Sequence, residues 1–185
     1  MRKIFLTLML TAAFFINAQE HLKIKGVEIN GSFDNFVYEL SNHGCSYGTN
    51  MHGFFMIKGE FAGVEMFFFP QVSSSGNVYS VVVCSSSYNE RSALNARYSE
   101  LHQLLMQKYG NSKRVKIENG YYRNLYGPLV DGKASKAEVF ESANGLIYLY
   151  LHKSDYPTIE AGQVNMIYVD KANDQLRLRE ANSDI

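Results

Sequence analysis

The chain has no excess of positive charge: 18 Lys and Arg stand against 18 Asp and Glu in 185 residues. That balance excludes the phosphate-neutralising surface on which nucleic-acid binding depends. Tryptophan is absent, so the aromatic content rests on 13 Tyr and 12 Phe. With only two cysteines, Cys45 and Cys84, the chain cannot be a densely cross-linked small scaffold. Beyond the first twenty positions no apolar run is long enough to span a membrane. Charged residues make up 19% and hydrophobic ones 46%, a globular rather than disordered composition.

The N-terminus differs in kind from the rest. Arg2 and Lys3 precede an apolar run from Ile4 to Ile16, followed by Asn17, Ala18 and Gln19. This pattern reads as a secretory signal peptide, residues 1–18, cleaved near Ala18, and it implies a periplasmic or secreted protein. Loss of Arg2 and Lys3 leaves a net charge near minus two.

The remaining chain divides into a first unit, 19–90, a second unit, 91–173, and a polar, frayed tail, 174–185. "HLKIKGVEIN", His21 to Asn30, alternates as a short edge strand. Phe33, Phe36, Val37 and Leu40 recur at helical spacing, with Ser32 as N-cap and Gly44 as the stop. Three antiparallel strands follow, "FFMIKGEF", "VEMFFF" and "NVYSVVVC", the first two joined by Ala62-Gly63. A second helix, Ala93 to Tyr109, carries Leu94, Tyr98, Leu101 and Leu105 on one face and stops at Gly110. Then come "KAEVFES", the turn Ala143-Asn144-Gly145, "LIYLYLH" and "QVNMIYVD". Phe33/Tyr98, Phe36/Leu101 and Leu40/Leu105 lie at one constant spacing, which suggests an internal duplication. The fold class expected is therefore α+β: two layers, a duplicated helix-plus-three-antiparallel-strand unit, with helices packed on one sheet face.

Period-two reading of the strands places Phe67, Phe69, Val81, Val83, Ile147, Leu149, Leu151, Ile167 and Val169 beneath the helices. It places Met66, Phe68, Tyr148, Tyr150 and Tyr168 on the opposite face, with Ser80 and Met166. Those five aromatic or soft apolar residues are the candidate ligand- or partner-binding set, since aromatic, weakly charged surfaces are enriched at interfaces. Tyr121, Tyr122 and Tyr126, in an insertion ahead of the second hairpin, are placed to cover that face or to contact a glycan.

Motifs for chemistry fail on context. Gly44-Cys45-Ser46-Tyr47-Gly48 has the spacing of a nucleophile elbow, but a helix precedes it and a strand follows, the reverse of what that turn requires. Cys45 and His43 follow a helix C-terminus, where the dipole raises a thiol pKa. The five histidines show no ligand spacing, so no metal site is expected. Paired acids such as Glu138 and Glu141 carry no supporting pattern. The expected topology sets Cys45 and Cys84 about 20 Å apart, against the roughly 6 Å that a disulfide allows, so none is expected.

The segments "HLKIKGVEINGSFDNFVYELSNHG", "KGEFAGVEMFFF", "LMQKYGNSK", "NGLIYLYL" and "VNMIYVDKAN" resemble a family of uncharacterised exported proteins of Bacteroidota-type bacteria. The repeated helix-then-sheet order is similar to the PepSY and β-lactamase-inhibitor group of folds, two-layer domains that bind or inhibit other proteins. The resemblance implies a binding module and no active site. The expected function is that of a non-enzymatic binding protein without cofactor, its partner an envelope protein or small apolar ligand. A structural or assembly component, a homodimer through the same face, is the first alternative, and a cell-envelope hydrolase the second.

Overall fold

A computed structural model describes residues 20–49, 55–117, 135–153 and 162–183. The leader, residues 1–18, and the tyrosines of the insertion lie outside the described residues.

The segment after Glu20 is not a single strand. Lys25 and Gly26 both take left-handed backbone, φ 51° and 85°, and fold it into a hairpin of β1 (Lys23–Ile24) and β2 (Val27–Glu28). Helix α1 (Phe33–Asn42) starts where Ser32 accepts the Asn35 amide, and it buries Phe36, Val37 and Leu40. Gly44, at φ 81°, turns the chain out of it. Strands β3 (Cys45–Thr49), β4 (Phe55–Phe61), β5 (Val64–Val72) and β6 (Val78–Ser85) follow. Helix α2 (Arg91–Tyr109) leads to β7 (Lys113–Ile117), β8 (Ser135–Ser142), β9 (Gly145–Lys153) and β10 (Gly162–Asp170). A last helix, α3, runs Lys171–Ser183.

The eight strands β3 to β10 form one antiparallel sheet in the order β3-β4-β5-β6-β10-β9-β8-β7. The expected fold class is therefore corrected: the protein is mostly β, and there are not two units of one helix and three strands. Each half supplies four strands to a shared sheet, and the order is symmetric about the central β6–β10 pair. The two strands missed were β3 and β7. Four of the five residues of β3 are exposed, and β7 is the cationic "KRVKI", so neither shows the apolar alternation that betrays a strand. The tail was also misread. Residues 171–183 are helical, and α3 docks through polar contacts rather than through an apolar stripe, which is why its pattern looks solvated.

Pairing aligns one row of side chains across the sheet: Tyr47, Ile57, Phe68, Val83, Met166, Leu149, Glu138 and Arg114. Its five apolar central members lie in the main core beneath the helices, with Leu40, Leu101 and Leu105. Burying each such side chain contributes roughly 1.5–3 kcal/mol. The other face gathers Tyr79, Val82, Cys84, Ala137, Tyr150 and Ile167 into a second buried cluster. The expected faces thus hold for β6 and β9 and are inverted for β5 and β10. In β5 and β10 both faces are apolar, and alternation alone cannot say which one meets the helices.

The ends are tied together by Asp170, which is fully buried. Its carboxylate accepts the Leu22 amide at 2.7 Å and the Asn173 amide at 2.9 Å, and it lies 3.1 Å from His21 Nδ1. The Asn173 amide bond is an N-cap for α3. Asn173 Nδ2 in turn points at the carbonyls of Ile29 and Val78 and at Asn30 Oδ1. Removing the carboxylate leaves at least two buried donors unanswered. Asp170→Ala is expected to cost about 3 kcal/mol or more, read as a lower midpoint in urea unfolding.

Candidate functional site

The structure divides the five candidate residues between the two faces. Met66, Phe68 and Tyr168 lie in the core on the helix side. Tyr148 and Tyr150 belong to the cluster on the other face, where Tyr150 is buried with its hydroxyl set against the side chain of neighbouring Asn165. The five therefore form no common surface. Burial pushes the hydroxyl pKa values of Tyr150 and Tyr168 well above the ordinary tyrosine range.

Tyr168 does reach a site. It lines a groove of about 240 Å³ where the β1–β2 turn, the β4–β5 turn and α2 meet. The floor is apolar: Ile24, Phe61, Leu101 and Leu105, with the part-exposed Leu104 at the side. Phe61 and Tyr168 contact edge to face, their ring centroids 6.4 Å apart. Three lysines, Lys23, Lys25 and Lys108, stand around it. Of these Lys23 faces a carboxylate, Glu28, at 3.1 Å. The Lys25 ammonium donates to the Glu60 carbonyl at 2.6 Å, and that of Lys108 lies 5.0 Å from the centroid of the Tyr109 ring.

Both turns that frame the groove are strained. Among the described residues, the non-glycine residues with positive φ are Lys25, at 51°, and Ala62, at 52°, and both line it. Each occupies the first central position of a two-residue hairpin turn followed by Gly, where Asn, Asp or Gly is ordinarily preferred. Left-handed backbone costs such a residue about 1–2 kcal/mol. The β4–β5 turn is held from below by Arg97, a buried guanidinium on α2 that donates to the carbonyls of Phe61 and Ala62 at 2.9 and 3.1 Å. Arg97 thus fixes this wall of the groove to α2. Sequence reasoning missed this site because Lys108 and the apolar floor lie far along the chain from Lys23 and Lys25. The available signal was the pair of turns, Lys-Gly and Ala-Gly, with an unexpected first residue.

A second constellation sits where α2 crosses β8, beside a cleft of about 250 Å³. Ser112 Oγ lies 2.8 Å from Glu138 Oε2 and 3.3 Å from His102 Nε2, and Arg114 Nε donates to Glu138 Oε1 at 2.8 Å. Burial raises the Glu138 pKa, but hydrogen bonds from Ser112 and Arg114, with the charges of Arg114 and His102, outweigh it and hold the carboxyl below the usual glutamate range. An ionised carboxylate only accepts, so Ser112 must donate to it, and His102 must then donate to Ser112. The serine proton is committed to the acid and the imidazole is no base toward it. This arrangement braces α2 against β8 and activates no nucleophile. Glu141, on the same strand, pairs with Lys113.

A wider cleft of about 400 Å³ separates the β1–β2 hairpin from α1, lined by Glu28, Asn35, Glu39 and His43. His43 Nδ1 is engaged by the Glu39 carbonyl at 2.9 Å. Neither cysteine offers a nucleophile. Burial pushes the Cys84 thiol up to about 12, and burial raises Cys45 as well, a rise that nearby Lys25 opposes. Both thiols are free. Cys45 and Cys84 are level along the strands, not at opposite ends as expected, because β3 adds a fourth strand. Three strand spacings, about 14 Å, keep them apart, and they belong to the clusters on opposite faces of the sheet. Among the described residues no three His, Cys, Asp or Glu side chains cluster as metal ligands. No helix among them is long and apolar enough to cross a membrane.

Comparison with family models, with curated proteins and with solved structures yields no match.

The Glu138 network makes a pH-dependent contribution of defined sign. A carboxylate whose folded pKa is depressed stabilises the protein fully above its unfolded pKa and loses that contribution as pH falls through the folded value. Glu138→Gln is expected to lower stability by about 1–2 kcal/mol at neutral pH. The difference should vanish well below the carboxylate range, as measured by urea unfolding of both proteins across acid pH.

Proposed function

We propose that the protein is an exported, non-enzymatic binding protein, and that its lysine-rimmed groove holds a single-chain anionic amphiphile such as a fatty carboxylate. The observation that carries this reading is the meeting of three lysines around an apolar floor, with a carboxylate, among the described residues, set against Lys23 alone. Water-excluded apolar surface takes the chain, and Lys25 and Lys108 face the head group. At about 240 Å³ the groove is just below the usual range of about 300–1,000 Å³ for small-molecule sites. It therefore takes a short chain, or one end of a longer chain. Strain at Lys25 and Ala62 supports the same reading, since backbone held in sparsely populated conformations clusters at ligand clamps. Support for export comes from Arg2, Lys3 and the apolar run from Ile4 to Ile16 that ends before Ala18.

Titration with a fluorescent fatty acid tests the groove. Saturable binding is expected, and it should weaken with salt and weaken by about tenfold when Lys25→Glu and Lys108→Glu are combined. Leu104→Asp should weaken it too, by placing charge on the apolar side. A neutral alcohol of the same chain length binding equally well would remove the role given to the lysines. For export, N-terminal sequencing of protein recovered outside the cytoplasm is expected to begin near Gln19.

A further inference from the structure

The two edges of the eight-stranded sheet are built differently. At one edge, β7 is rich in cations, and Lys113 and Arg114 stand in solvent, paired to Glu141 and Glu138 on β8. Charged side chains of this kind are the usual means of keeping an edge strand from pairing with another chain. At the other edge, β3 reads Cys-Ser-Tyr-Gly-Thr, with no charge and no proline. Ser46, Tyr47, Gly48 and Thr49 are all exposed, and a Cβ added at Gly48 would meet nothing within 4 Å. Among the described residues no strand pairs with its outer side.

The surface beside this bare edge is aromatic. Tyr47 is 60% exposed and Phe55 42% exposed. Their rings lie 6.1 Å apart, and Phe33 of α1 stacks edge-on against Phe55 at 5.4 Å. Tyr47 ends the same cross-sheet row whose centre is Phe68, Val83 and Met166, so a strand added beyond β3 would continue that row.

We propose that β3 pairs antiparallel with β3 of a second copy of this chain, about a twofold axis at Tyr47, so that the sheet continues across the dimer. An antiparallel edge is complementary to itself under a twofold rotation, which is the geometry of an isologous interface. Charge favours this edge over the other. Two β3 strands bring no like charges together, whereas two β7 strands would set Lys113 and Arg114 against their counterparts. Ser46 and Gly48 flank Tyr47 with little bulk, so the backbones can approach, and the two tyrosines meet as a cross-strand pair beside Phe55. The inference does not rest on the ligand reading, since β3 lines no part of the groove.

Sedimentation at micromolar concentration tests it. The mature wild-type chain is expected at twice its chain mass, and Tyr47→Phe likewise. Tyr47→Lys places two ammonium groups opposite one another and is expected to sediment as a folded monomer, whose cooperative melting no longer depends on concentration. Independently of any variant, the amides of Ser46 to Thr49 in the wild type should exchange more slowly as concentration rises. A wild-type monomer would overturn the proposal, including one that captures an extended peptide at β3. So would a dimer that survives Tyr47→Lys, or concentration-dependent protection at β7 instead of β3.

Discussion

The buried carboxylate of Asp170 joins the start of the β1–β2 hairpin segment, the end of β10 and the start of α3. It stands at the last position of β10, caps α3, and meets the Leu22 amide and the His21 imidazole. The cost of burying this group with no exposure is offset by donors that answer its oxygens from both directions. Asn173 extends the arrangement by reaching the carbonyls of Ile29 and Val78, so the hairpin, the start of β6 and α3 share one polar knot. Arg177, 4.9 Å from the centroid of the Tyr79 ring, and Glu180, hydrogen-bonded to Ser75, then fasten the rest of α3 along the β5–β6 end.

From that knot the sheet spreads to both sides. β6 is buried at every position, as befits the strand that meets β10 at the centre. Outward from this pair the burial thins, and chemistry accumulates at the margins. The groove forms where two strained turns and α2 come together over Phe61 and Tyr168. The Ser112, Glu138 and Arg114 network closes one end of the cross-sheet row, and Tyr47 stands open at the other. In the proposed reading the apolar floor takes a tail, and Lys25 and Lys108 take its anionic head. The Ser112 hydroxyl, whose proton is taken by an ionised acid, is an arrangement for bracing. The same reasoning about who donates and who accepts separates the two.

Much of the local structure was legible in the chain. Ser32, Phe36, Leu40 and Gly44 announce α1, and Leu94, Leu101 and Leu105 announce the buried face of α2. Ala62-Gly63 and Asn144-Gly145 mark hairpin turns. Each of these rests on interactions within a few residues: a cap, a repeat of 3.6, a turn that tolerates positive φ. The edge strands β3 and β7 were not legible, because β3 is exposed at four of its five positions and β7 carries three cations in five residues, so neither shows a sustained apolar alternation. Nor was α3, whose docking depends on Asn173 and Arg177 rather than on a stripe of leucines.

What remained for the tertiary structure was the choice of face and of neighbour. Alternation along β5 separates Met66 and Phe68 from Phe67 and Phe69, yet both pairs are apolar, and flipping the strand leaves the pattern intact. Only the pairing of Phe68 with Val83, and of Val83 with Met166, decides which pair lies under the helices. That energy comes from contacts between residues distant in the chain, so it has no signature in any short window. The grouping of Met66, Phe68 and Tyr168 with Tyr148 and Tyr150 failed for this reason. The groove needs Lys25, Phe61, Leu104 and Tyr168 from four separate elements, and it came into view only once those elements were packed.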